Sequence, residues 1–204
     1  SVTIDGREVE ARGSLLDCVL AAGIELTHLC KDDHLPAIGA CRTCLVEADG
    51  RIVAACSFPA AGVTQVSTTS ERAVRLRAGV LQLTVAMCIA DPGARGPEGD
   101  TLAGVIGREG VRIGGMARRE RGDVDGSNPF FAFVEGDCIL CGRCVTACQS
   151  LQHISAIGMA GRGLATRVTP GEGVSFLESI CTSCGSCVAA CPTTALRPKT
   201  GGFA

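Results

Sequence analysis

Eight cysteines between residues 138 and 191 constrain this chain more than any other feature. They fall into two runs of one pattern, Cys138-x2-Cys141-x2-Cys144-x3-Cys148 and, after 32 residues, Cys181-x2-Cys184-x2-Cys187-x3-Cys191, the second followed directly by Pro192. Three cysteines spaced this way can wrap one face of a cubane on a tight loop, while the fourth, a helical turn further on, points toward a second cubane. The spacing therefore predicts two [4Fe-4S] clusters with crossed ligation. One would use Cys138, Cys141, Cys144 and Cys191, the other Cys181, Cys184, Cys187 and Cys148. Gly142 and Gly185 fall inside the loops, where a missing side chain would let backbone N–H groups approach the sulfurs. Zinc requires neither the third cysteine nor the fourth three residues later, and a disulfide framework would spread its cysteines over loops.

A second set of four comes earlier, Cys30-x10-Cys41-x2-Cys44-x11-Cys56. Residues 2–11 alternate and turn at Asp5-Gly6, with Val2, Ile4 and Val9 on the apolar side, which is a hairpin signal. Ser14 and Asp17 then make a capping-box-like start to a helix carrying Leu15, Leu16, Val19 and Leu20, closed by Gly23. Hairpin followed by helix is the opening of a β-grasp domain. Between Cys44 and Cys56 a strand over Leu45 to Ala48, an Asp49-Gly50 turn and a returning strand over Arg51 to Ala55 carry the fourth cysteine across a hairpin. Two irons held by four thiolates are the natural use of this set. Its inner CxxC and distant fourth cysteine match the plant-type pattern, with a longer first gap. Zinc stays open as the alternative, because a single CxxC is a weaker signal. His28 and His34 flank Cys30, but with four thiolates at hand both read as loop residues. Gly39 and Ala40 keep the loop slim.

Val63 to Thr68 reads as the closing strand. Ser70 caps a helix whose apolar stripe is Ala73, Leu76, Val80, Leu83 and Met87, with Cys88 at its end. A loop over Asp91 to Asp100 precedes a short helix, Thr101 to Arg108. Residues 112–127, with Arg112, Arg118, Arg119 and Arg121 among glycines and acids, read as a solvated linker, a docking role for the arginines being the alternative. Phe130, Phe131, Phe133 and Val134 form a strand leading into Cys138. The interval between the two runs has no GxGxxG after a strand and hence no dinucleotide site, and its His153 reads as a packing or solvent residue.

The rest of the composition narrows the function. A formal net charge of -2 and only six aromatic residues, all Phe, argue against nucleic-acid binding. The longest apolar runs, such as Val80 to Ala90, are too short and too interrupted for a transmembrane segment. Fourteen cysteines, twelve of them at metal spacings, with no signal-like start, fit a reducing, cytoplasmic setting. So few aromatics imply that clusters replace part of an ordinary core and that the metal-free chain folds poorly. No Walker loop, Rossmann fingerprint or acid–base constellation is present, so electron relay rather than bond chemistry is expected.

Six stretches carry a family likeness: GIELTHLC (Gly23 to Cys30), GACRTCLVEADG (Gly39 to Gly50), AAC (Ala54 to Cys56), DCILCGRCVTAC (Asp137 to Cys148), AGRG (Ala160 to Gly163) and CTSCGSCVAACPTTAL (Cys181 to Leu196). With these the chain resembles the iron–sulfur electron-transfer module of the complex I large subunit, NAD-linked formate dehydrogenase, iron-only hydrogenase and the small diaphorase subunit of bidirectional NAD-reducing nickel–iron hydrogenase. It looks most like the last. The resemblance implies an α+β chain in three parts: a β-grasp [2Fe-2S] domain (1–69), a helical linker region (70–128) and a 2[4Fe-4S] ferredoxin-like domain (129–204). That family also places a cluster with one histidine and three cysteine ligands, HxxxCxxCxxxxxC, between the halves. Here Cys88 stands alone, with Asp91, Pro92 and Gly93 following, so that cluster is expected to be absent and Cys18 and Cys88 to be ordinary thiols. The implied complement is one [2Fe-2S] and two [4Fe-4S] clusters. The implied partners are a flavin- and NAD(P)-binding diaphorase subunit and a catalytic metal subunit, nickel–iron hydrogenase first and a molybdenum or tungsten formate dehydrogenase second. A freestanding ferredoxin-type carrier is the other reading.

Overall fold

The computed structural model describes residues 1–88, 101–111, 122–193 and 195–199. Val2–Ile4 (β1) and Arg7–Val9 (β2) form an antiparallel hairpin around Asp5 and Gly6, whose φ angles of 46° and 82° are the left-handed pair that a type I′ turn demands. Ser14 caps Leu15–Ala21 (α1) through a reciprocal box. Its hydroxyl accepts the Asp17 N–H at 3.2 Å, and the Asp17 carboxylate accepts the Ser14 N–H at 2.8 Å. Leu45–Ala48 (β3) and Arg51–Ala54 (β4) repeat the hairpin device at Asp49-Gly50. Gln65–Ser67 (β5) slots between β1 and β3, parallel to the first and antiparallel to the second, giving the mixed order β2-β1-β5-β3-β4. Val2, Ile4, Leu15, Leu16, Val19, Val46 and Val66 make the core between this sheet and α1. The arrangement is the β-grasp that the hairpin and helix foretold.

Glu71–Met87 (α2) departs from its expected stripe. Its buried face is Ala73, Arg77, Leu81 and Val85 with Ala86 beside the last, while Leu76 and Leu83 are exposed at 39% and 56%. An arginine lies at the centre of the face, so counting apolar residues alone selects the wrong one. Arg77 is tolerated because its Nη1 donates to the Leu45 and Thr68 carbonyl oxygens at 3.0 and 2.8 Å, and Glu109 stands at ion-pair distance, 4.0 Å. Thr101–Arg108 (α3) places Leu102 and Val105 against Leu81, Cys88 and Val111. The expected loop over Asp91 to Asp100 and the arginines at 112–121 lie outside the described residues.

The tail of the expected linker is not all loop. Val124–Asp125 (β6) pairs antiparallel with Phe131–Val134 (β7), which in turn pairs with Leu196–Pro198 (β10), so β7 is central. Phe130 lies just before the strand and is exposed. Between the cysteine runs, Gly158–Ala160 (β8) and Arg167–Thr169 (β9) form a two-stranded hairpin. Three-residue strands are too short for alternation to reveal. Phe131 and Phe133 both meet Phe176 edge to face, with centroids 5.1 and 6.1 Å apart, which anchors residues 174–180 under the sheet. Two short helices complete this part: Arg143–Thr146 (α4), which widens into a π turn over Ala147–Leu151, and Ser186–Ala190 (α5). Among the described residues no helix is long and apolar enough to cross a membrane.

Candidate iron–sulfur centres

The two cysteine runs adopt one backbone conformation. Leu140 and Ser183 have φ of 54° and 57°, and Gly142 and Gly185 have 81° and 78°. The Leu140 N–H donates to Cys138 Sγ at 3.4 Å, and the Ser183 N–H to Cys181 Sγ at the same distance. The reason for glycine is conformational. A Cβ on Gly185 would meet nothing within 4 Å, and one on Gly142 only side-chain tips at 3.6 and 3.9 Å, so what an L residue would resist is the left-handed φ rather than a close approach to sulfur. From these turns α4 carries Cys144 and α5 carries Cys187. Cys148 lies in the π turn beyond α4, and Cys191 ends α5.

Each run sends its last cysteine away from the other three. Cys138, Cys141, Cys144 and Cys191 line one hollow, walled by Phe133, Ile139, Val168 and Leu196. Cys181, Cys184, Cys187 and Cys148 line a second, walled by Phe131, Ile154 and Ile157. Four thiols around an apolar hollow, with N–H groups turned to sulfur, suit a cubane with its own sulfides. Cys148 Sγ is reached by the Ala156 N–H at 3.2 Å. Burial pushes the thiols of Cys138, Cys141 and Cys187 up to about 12, and that of Cys144 well above its ordinary value. Cys184 is the exception: burial opposes it, but the Ser186 N–H and hydroxyl hold its thiol below the usual range. Cys184 is also the one exposed thiol among the described residues.

The earlier four cysteines gather on the loop before β3 and the turn after β4. The Cys30 N–H donates to Cys41 Sγ at 3.3 Å, the Cys41 N–H to Cys30 Sγ at 3.5 Å, and the Cys56 N–H to Cys44 Sγ at 3.5 Å. Hydrogen bonding among these thiols divides their acidity. The bond with Cys30 raises Cys41, and burial adds to it; the bond with Cys56 lowers Cys44. At Cys56 a bond with Cys30 pulls downward, but the bond with Cys44 and burial leave it raised to about 11. Thr43, fully buried, was not singled out by spacing. Its hydroxyl accepts the Leu29 N–H at 3.1 Å and lies 3.1 Å from Cys41 Sγ, so a small hydroxyl inside the CxxC is the signal to look for.

The remaining candidates fall elsewhere. His28 Nδ1 is 2.6 Å from the Leu26 carbonyl oxygen, and His34 and His153 are exposed. Cys18 is buried in the β-grasp core, its thiol directed at the Arg12 and Glu10 carbonyl oxygens. Cys88 is buried among Leu81, Leu102, Val105 and Val111. That apolar group also contains Leu29, Cys30, Ile139 and Cys141, with Cys41 and Ile38 packed on it, so it runs without a break from the earlier thiols to those of the first cavity.

Two family profiles match this division. One described as a 2Fe-2S iron-sulfur cluster binding domain covers residues 1–71, and one described as a 4Fe-4S dicluster domain covers residues 137–195. The chain is an iron–sulfur protein of mixed helix and sheet. The first match replaces the zinc alternative for the earlier cysteines with an iron–sulfur assignment of that domain. Over 99% of its length the chain superposes on a chain of a structure titled NAD+-reducing [NiFe]-hydrogenase in the H2-reduced state, covering 88% of it with a TM-score of 0.82 and 29% identity. It is 31% identical over 85% of its length to YrhE of Bacillus subtilis (strain 168), which carries a formate dehydrogenase name. Identity and coverage are the same against the NADPH-Fe(3+) oxidoreductase subunit alpha of Geobacter sulfurreducens (strain DL-1 / KN400). The chain spans about a fifth of the length of these two curated relatives, 19% and 21%.

Proposed function

We propose that the chain is an electron-relay subunit with three centres: a [2Fe-2S] cluster on Cys30, Cys41, Cys44 and Cys56, and two [4Fe-4S] clusters on the crossed sets, Cys138, Cys141, Cys144, Cys191 and Cys181, Cys184, Cys187, Cys148. Such clusters each take up and pass on single electrons. The chain's own residues position them, exclude water and direct N–H groups at the sulfurs. One observation carries the reading: the thiol sets follow one another without a gap. Cys30, Cys41 and Cys141 share one apolar group, and Cys138, Cys144, Cys148 and Cys187 share the next. The series of thiol sets reaches the surface at Cys184, which is exposed, so electrons enter or leave there by contact with another protein.

The partners implied are a flavin- and NAD(P)-binding diaphorase subunit and a catalytic metal subunit. Nickel–iron hydrogenase is favoured over formate dehydrogenase because the hydrogenase-derived chain is matched along 88% of its length, whereas the formate dehydrogenase relative is matched over 19%. Anaerobic purification with bound companions, followed by metal analysis, decides between them. Nickel in the companion supports the hydrogenase reading, molybdenum or tungsten moves it to formate oxidation, and a lone chain with about ten irons is a mobile carrier.

A further inference from the structure

We propose that Arg143 and Asp32 form a tuning pair, which holds the first cysteine loop against the Cys138 centre and sets that centre's reduction potential. The inference rests on the cluster reading above. Arg143 lies between Cys141 and Cys144, as the first residue of α4, and Asp32 lies two residues after Cys30. The Arg143 Nη2 donates to Asp32 Oδ2, with the two side chains only 15% and 16% exposed. Asp32 is itself fixed, since its Oδ1 accepts the His34 N–H at 2.9 Å. The pair thus joins residues 111 apart in sequence and spans the boundary between the two sets of thiols.

Two features exceed what a latch needs. The Arg143 Nε is buried with no hydrogen-bond partner among the described residues, so the guanidinium carries its positive charge with a donor that Asp32 does not take. That charge is fixed in a shielded place between Cys141 and Cys144, two of the thiols of the first cavity, where the effective dielectric is far below that of water. A cluster gains negative charge on reduction. Arg143 therefore favours the reduced state of the nearest centre, and Asp32 opposes it. Electrons passed from the earlier cysteines then arrive at a centre whose potential depends on both residues of the joint.

The test is redox titration of the full chain, anaerobically reconstituted, followed by electron paramagnetic resonance, with the Cys138 centre assigned by its loss in Cys138→Ser. Arg143→Gln should lower its midpoint potential and Asp32→Asn should raise it, each shifting its reduction equilibrium about three- to tenfold, tenfold being about 59 mV for one electron. Arg143→Lys, which keeps the charge and loses the fork, should stay closer to the parent than Arg143→Gln. A purely mechanical latch predicts no opposition of sign. Shifts in the same direction, or none, in variants with complete iron overturn the proposal. Should Arg143→Gln fail to take up iron, the Asp32→Asn shift decides alone: upward supports the pair, unchanged or downward sinks it. A parent chain without any [4Fe-4S] signal would instead defeat the cluster reading, and this inference with it.

Discussion

Arg77 Nη1 donates to the Leu45 carbonyl oxygen at 3.0 Å, tying the middle of α2 to the strand that begins directly after Cys44. A second bond from the same nitrogen to the Thr68 carbonyl fixes the end of β5 to the same point. The thiol loop and the helix thus share one buried anchor. Arg77→Met keeps the apolar stem but leaves both carbonyls without this donor, at about 1–3 kcal/mol for a stranded buried group. The iron-loaded variant should lose about 3 kcal/mol in denaturant unfolding. Leu83→Ala, on the exposed face that an apolar count would place in the core, should stay within about 0.5 kcal/mol. The reverse ranking would restore the apolar stripe.

Cys148→Ser separates crossed from uncrossed ligation. Cys148 lines the cavity of Cys181, Cys184 and Cys187, 33 or more positions away, and not the cavity of its own run. The expected result is loss or conversion of the centre associated with Cys181, with the Cys138 centre retained. Resonance spectra showing damage confined to the Cys138 centre would mean that each run ligates its own cubane.

The residual fold of the metal-free chain should become less stable as pH rises above about 8.5. Burial raises the thiols of Cys138, Cys141 and Cys187 to about 12, while unfolded thiols titrate near about 8.5. Between those values the folded chain binds more protons than the unfolded one. The stabilisation is therefore complete below about 8.5 and is lost as pH climbs toward 12, at no more than about 1.4 kcal/mol per pH unit for each thiol. Cys44 and Cys184, shifted downward, work in the opposite sense and soften the slope. Urea midpoints of the metal-free chain at about pH 8 and 10 measure it. A midpoint that rises over this range would contradict the assigned burial. Cluster assembly needs thiolates and releases these protons, so loading should weaken as pH falls.

The gathering of the later cysteines into two groups was legible in sequence because their repeated close spacing leaves little freedom to the chain. Both Asp-Gly turns and the Ser14 cap were legible for a similar reason: each needs one residue type at one position. The buried face of α2 was hidden because a satisfied arginine looks polar in a string of letters. β6, β8 and β9 are two or three residues long, below the length at which alternation means anything. Thr43, Asp32 and Arg143 owe their roles to partners 2 to 111 residues away, and only the folded chain pairs them.

Gly161 and Gly185 share a φ of 78°, yet substitution by alanine should affect them very differently. At Gly185 an added Cβ meets nothing within 4 Å, so the cost is the left-handed conformation alone, about 1–2 kcal/mol. At Gly161 the same Cβ would lie 2.2 Å from the Ala165 carbonyl oxygen and 2.9 Å from its carbon. Those atoms are backbone, between β8 and β9, and cannot swing aside as a side-chain tip does. Gly161→Ala must open that loop, which also displaces Val168 in the wall of the first cavity. Thermal melts of the iron-loaded proteins should show a clearly larger loss for Gly161→Ala, together with reduced iron retention. Equal losses at the two positions would show that the loop relaxes freely and that its tight closure is not what holds the hairpin in place.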